Sequence, residues 1–192
     1  MVDYQCFNLG GGVIRGDLKA EGINKVFSFA MLKAFIASPT TRYLLWFRIG
    51  SYVKGKKQWM LLYPIIYMFY RHLQYKTGIQ IRLGTKIGVG VRFVHLGQVV
   101  INGGTEVGHN CTIFHDVTIG STSLGGRAPR LGDNVCLCAG AKILGDIQIG
   151  NNVLVGANAV VVKDVPDNAV VGGVPAVIIS MEGTEKVRVW RR

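Results

Sequence analysis

The chain has 192 residues, a formal charge of +11 and 26 glycines, which suits one domain with a modest appendage. Half of it is apolar, and that excludes wholesale disorder. The positive balance asks for an anionic cofactor, an acidic polymer or a membrane surface, but finger spacing, an aromatic RNP-like strand and a basic heptad helix are all missing, so nucleic acid is not expected as a partner.

The opening "MVDYQCFNLGGG" has no basic n-region followed by an apolar h-region, so no signal peptide is read. Cys6, Cys111, Cys136 and Cys138 make no disulfide framework, and "CLC" lacks zinc-ligand spacing; reduced thiols in a cytoplasmic protein and no metal are expected. "EGINKVFSFAMLKAFIASPTT" reads as a helix ending before Pro39, with Ser38 or Thr40 available to cap the next. "RYLLWFRIGSYVKG" and "QWMLLYPIIYMFYRHLQYKTG" follow as helical segments, the second starting or kinking at Pro64 and ending at Gly78. The apolar run 59–70 is shorter than the ~20 residues a spanning helix needs. It reads as a cap burying its aromatics against itself or a neighbouring subunit. Its flanks, Lys54, Lys56, Lys57, Arg71 and Lys76, leave peripheral contact at the inner face of a membrane as the alternative. Residues 1–78 thus form an N-terminal helical segment.

From Ile81 the rhythm changes. Ile81, Ile87, Phe93 and Val99 lie six apart, and Ile101, Val107, Ile113 and Ile119 continue after a two-residue insertion. "STSLGGRAPR" interrupts; then Leu131, Leu137, Ile143, Ile149, Val155 and Val161 resume the beat. A fixed short period means stacked copies of one unit, each a short strand plus a turn. Three hexads close a triangular coil of 18 residues, with coils ~4.8 Å apart and the beat residue inside. The fold class is therefore mainly β, a parallel β-helix of about five coils over 79–180, preceded by the helical segment and followed by a basic tail, 181–192.

This pattern, closing with "VVVKDVPDNAVVGGVPAVII", resembles the hexapeptide-repeat acyltransferases. The resemblance implies a left-handed helix, where the general rule for parallel crossovers gives the opposite hand. It also implies a homotrimer with sites between subunits, which the aromatic helices would pair into a dimer of trimers.

Phase locates side chains. Two positions beyond Phe93, Ile113, Leu137 and Val155 stand His95, His115, Ala139 and Ala157, which stack at one corner if the coils are regular. Two histidines above two alanines make a groove fit for a thin amide-bearing chain such as pantetheine. In the resemblance, the positions matching Ala139, Ala157 and Lys163 line acetyl-CoA, and Ser121 is placed with them. "RFVHLGQVVINGGTEVGHNCTIFHDVTIG" is similar in layout to the serine acetyltransferase branch, which puts His95 at the catalytic base. His115 is a second catalytic candidate, to bind substrate, hydrogen-bond His95 or cover the stack. His109 falls on another face, away from the three-histidine zinc arrangement of γ-class carbonic anhydrases.

Three departures bear on the acceptor. The branch carries a carboxylate where this chain has Val94, an Arg-His pair where it has Arg127 and Ala128, and an aspartate aligned with Gln80. Gln80 and Arg127 remain as substrate-binding candidates. With the ammonium's partner missing, the layout resembles the exopolysaccharide and colanic-acid O-acetyltransferases, and the expected acceptor is a sugar hydroxyl of a surface or capsular polysaccharide. O-acetylation of serine for cysteine biosynthesis is the alternative.

Overall fold

The computed structural model describes residues 12–23, 33 and 35–189. The chain start with Cys6, most of the helix expected over 21–41 and the last three residues of the tail lie outside the described residues.

Four helices are named here: α1 (Gly12–Ala20), α2 (Pro39–Val53), α3 (Tyr63–Thr77) and α4 (Gly183–Val189). Ser38 caps α2, its Oγ accepting from the Thr41 N–H at 3.3 Å, and Pro39 sits in the first turn, where a missing N–H costs nothing. α3 also carries a proline in its first turn and stops on Gly78, whose φ of 76° is the left-handed conformation of a C-terminal glycine. Helices α2 and α3 pack on each other and on the first coil. The Tyr70 hydroxyl donates to the Ile81 carbonyl at 2.6 Å and so accepts from the Tyr43 hydroxyl at 2.7 Å. Burial pushes both phenols up, which keeps them neutral donors.

A buried clip ties α1 and α2 to the next turn of the coil. Arg48 Nε donates to Asp17 Oδ2 at 2.8 Å, while its Nη1 and Nη2 reach the carbonyls of Ile87 and Gly88 at 2.6 Å each. Asp17 Oδ1 in turn accepts from the Gly90 N–H at 2.7 Å.

Three parallel sheets then form the faces of a prism. The first stacks Ile79–Ile81, Val99–Ile101, Thr118–Gly120, Lys142–Leu144 and Val160–Val161. The second stacks Lys86–Ile87, Glu106–Val107, Arg130–Leu131 and Gln148–Ile149. The third stacks Arg92–Phe93, Thr112–Ile113, Cys136–Leu137, Leu154–Val155 and Val170–Gly173, closed by the antiparallel strand Ala176–Ser180. Beat residues from Ile81 to Val161 are buried inside, since each strand offers alternate side chains to the interior.

The register locates both interruptions. Ile81 pairs with Ile101, so the first coil runs 20 residues, and the two extra residues fall between Phe93 and Ile101. That is the corner carrying His95. Ile119 pairs with Ile143 across 24 residues, so the longer insertion is the loop 121–129 after the first sheet.

The corner between second and third sheets needs left-handed residues, which asparagine supplies at Asn110, Asn134, Asn152 and Asn168, with φ between 56° and 61°. Their amides stack: Asn134 Nδ2 donates to Asn152 Oδ1 and Asn152 Nδ2 to Asn168 Oδ1, both at 3.0 Å. Helix α4 lies against the third sheet, where Val187 joins Phe114 and Cys136 in a small apolar cluster. Among the described residues no helix is long and apolar enough to cross a membrane.

Candidate active site

The site is built by register. Phe93 pairs with Ile113, Ile113 with Leu137 and Leu137 with Val155, so the residues two further on follow one edge of the prism, between third and first sheets. Backbone bonds hold the stack: Gly140 N–H donates to the His115 carbonyl at 3.0 Å and Asn158 N–H to the Ala139 carbonyl at 2.9 Å. Immediately after His115, Ala139 and Ala157 the chain turns left-handed, at Asp116 (φ 60°), Gly140 (φ 75°) and Asn158 (φ 56°). At Gly140 an added Cβ would come within 2.0 Å of Asn158 Oδ1, so a larger residue there would have to displace that side chain.

His95 and His115 face one another edge-on, ring centroids 5.7 Å apart. Phe114 supports the His95 ring at 5.9 Å. The two-residue insertion brings Gly97 (φ 155°) against His115, where a Cβ would lie 2.6 Å from the histidine's own Cβ. His95 is exposed and His115 half-buried. The Nδ1 of His115 is buried with no hydrogen-bond partner among the described residues. An N–H there would be an unpaired buried donor, which favours the tautomer that carries its N–H on Nε2. Below the histidines the edge carries Ala139, packed against the cluster of Phe114, Cys136 and Val187, and Ala157, which is exposed.

The other residues singled out in the sequence lie elsewhere on the prism. Gln80 is exposed on the outer side of the first sheet, beside Val100, with Thr118 and Lys142 further along the same row. Ser121 and Lys163 follow Ile119 and Val161 of that sheet by two positions, which places them at its far corner, a sheet's width from the alanines. Ser121 Oγ donates to the Ser123 carbonyl at 3.0 Å, and Lys163 is exposed. Arg127 projects from the 121–129 loop and meets Asp146 at 3.4 Å in an exposed pair that contributes little. His109 belongs to another corner: its Nδ1 accepts from the Val89 N–H at 3.0 Å, and its own N–H donates to Asp133 Oδ1 at 2.6 Å. The structure does not gather the three histidines, and among the described residues no cluster of His, Cys, Asp or Glu could hold a metal ion.

Two side chains at the corner were not among the candidate site residues. Lys142 Nζ donates to the Asp116 carbonyl, setting a cation beside the histidine turn. Cys138, next to Ala139, is half-buried, and the hydrogen bond from Cys136 lowers its thiol below the usual range despite burial. The "CLC" spacing carried that signal, since residues two apart on a strand share a face.

Residues 128–163 match the family model of the bacterial transferase hexapeptide (six repeats). A serine acetyltransferase of Mycobacterium tuberculosis is 50% identical over 105 residues, 54% of this chain and 46% of that protein. The crystal structure of Neisseria gonorrhoeae serine acetyltransferase superposes with a TM-score of 0.73 at 28% identity, covering 88% of this chain and 64% of that one. The Brucella abortus serine acetyltransferase in complex with coenzyme A gives a TM-score of 0.73 at 28% identity, with 88% and 66% covered. The chain spans about half the length of the curated relatives it matches. The solenoid is a left-handed β-helix of about five coils with flanking helices, similar to the fold of hexapeptide-repeat transferases.

These likenesses overturn the expected polysaccharide acceptor, because the relatives are serine acetyltransferases. Of the three departures behind that expectation, two sit in local packing. Val94 is tucked against the cluster of Phe114, Cys136 and Val187. Ala128 is buried beside Gly104, where a Cβ added to the glycine would already touch it at 3.6 Å.

Proposed function

We propose that the protein is an acetyl-CoA-dependent serine O-acetyltransferase of cysteine biosynthesis. The observation that carries the acceptor is the 50% identity to a serine acetyltransferase over more than half of this chain. The geometry supports the chemistry. Ala139 and Ala157 leave room along one edge for the pantetheine arm, so that its thioester ends at His95 and His115, and Ser121 and Lys163 offer polar contacts to the rest of the coenzyme.

His95 is the general base. It takes the proton of the serine hydroxyl as the oxygen attacks the thioester carbonyl. The tetrahedral oxyanion is held by N–H donors at the site, His115 Nε2–H among them. Collapse breaks the C–S bond, and the proton on His95 goes to the departing thiolate, so no covalent enzyme intermediate forms. Arg127 leaves its weak pair with Asp146 to bind the serine carboxylate, and the Gln80 amide oxygen accepts from the ammonium group. Because Ser121, Arg127 and Lys163 stand at a different corner from the histidines, the complete site joins corners of adjacent subunits in a homotrimer.

His95→Ala tests this reading. CoA release with L-serine should fall by roughly 10²–10⁴ while acetyl-CoA affinity is retained; turnover near wild type would remove His95 as the base.

A further inference from the structure

Between Glu21 and Glu106 the chain contains no Asp or Glu and twelve Lys or Arg. Within this acid-free stretch, α3 buries its C-terminal half, and of its first turn Tyr63 packs against the core. Its buried residues are Tyr70, Leu73, Gln74 and Thr77, all in the C-terminal half. The N-terminal half and the turn before it present large apolar side chains to solvent: Met60 is 69% exposed, Leu61 87%, Ile65 51% and Met68 61%. Lys56 and Lys57 are exposed in the same turn, Lys56 resting over the Tyr52 ring at 3.3 Å. Large apolar side chains exposed together in one short segment and flanked by cations mark a contact site.

We infer that this face docks on an anionic lipid surface. Charge decides between that and a second copy of the chain. A twofold contact brings the face against itself and gathers Lys56 and Lys57 of both copies around one apolar contact, with no carboxylate in the acid-free stretch to neutralise them. An anionic headgroup layer meets both demands: phosphate oxygens take the lysines, and the upper acyl region takes Met60, Leu61, Ile65 and Met68. The helix lies on the bilayer and does not cross it, since no described helix is long and apolar enough to span. The inference stands independently of the acceptor proposed above.

The test is co-sedimentation of the full chain with phosphatidylcholine vesicles, with and without phosphatidylglycerol. Binding is expected only to the anionic vesicles and should weaken as salt is raised. The double variants Leu61→Asp/Met68→Asp and Lys56→Glu/Lys57→Glu should each lower partitioning by at least about tenfold, leaving CoA release unchanged. No binding, or equal binding to neutral vesicles, overturns the inference. So does a fall in oligomer mass by light scattering for Leu61→Asp/Met68→Asp with vesicle binding unchanged, which would make the face a contact between copies.

Discussion

Replacing Arg48 by methionine removes the guanidinium that fastens α1 and α2 to the first coil. Its partner carboxylate, Asp17, is 6% exposed and would be left with backbone N–H donors alone, while the carbonyls of Ile87 and Gly88 each lose a bond of 2.6 Å. Breaking one partner of a buried pair costs about 3–5 kcal/mol. Each orphaned carbonyl adds up to about 1 kcal/mol where water cannot reach it. Burial already pushes the Asp17 carboxyl up, against the opposing pull of Arg48, so proton uptake limits the penalty once Arg48 is gone. A loss of about 4 kcal/mol is expected, roughly a thousandfold in the folding equilibrium. Urea unfolding followed by tryptophan fluorescence at fixed protein concentration measures it. The double variant Asp17→Leu/Arg48→Met should be more stable than Arg48→Met, because no charge stays buried. A single-variant loss below about 1 kcal/mol, or a double variant weaker than the single, would refute the clip.

At the alanine edge, Ala157→Leu should raise the KM for acetyl-CoA by roughly 10–100-fold, the cost of displacing a bound chain from a filled groove, with kcat less affected. Unchanged affinity in a direct binding assay would mean that the coenzyme does not lie along this column. Cys138, with its lowered thiol and partial exposure, should be the first described cysteine to react with iodoacetamide, and coenzyme A should protect it. Peptide mapping that finds Cys111 or Cys136 modified first would contradict this placement.

Much of the architecture was legible because a prism interior admits only one kind of residue on a fixed beat, and the register of Phe93, Ile113, Leu137 and Val155 follows that beat directly. The two-residue insertion was visible but not its location. Val99 and Ile101 are both aliphatic and both buried, so phase alone cannot say which is the beat, and pairing with Ile79 and Ile81 decides it. The Asp17–Arg48 clip left no local pattern, since the two residues lie 31 apart and meet only in the fold. Val94 and Ala128 misled for a related reason. Their surroundings are set by α4 and by Gly104, distant in sequence, and a missing polar residue reads as a changed substrate until its neighbours are known.

The acceptor is the central claim, and competition tests it most directly. Purified full-length protein is given acetyl-CoA with equal concentrations of L-serine and a panel of hexoses, and the acetylated product is identified by mass spectrometry. The account predicts O-acetyl-L-serine as the dominant product, lost in His95→Ala. Acetylated sugar with serine untouched would contradict it.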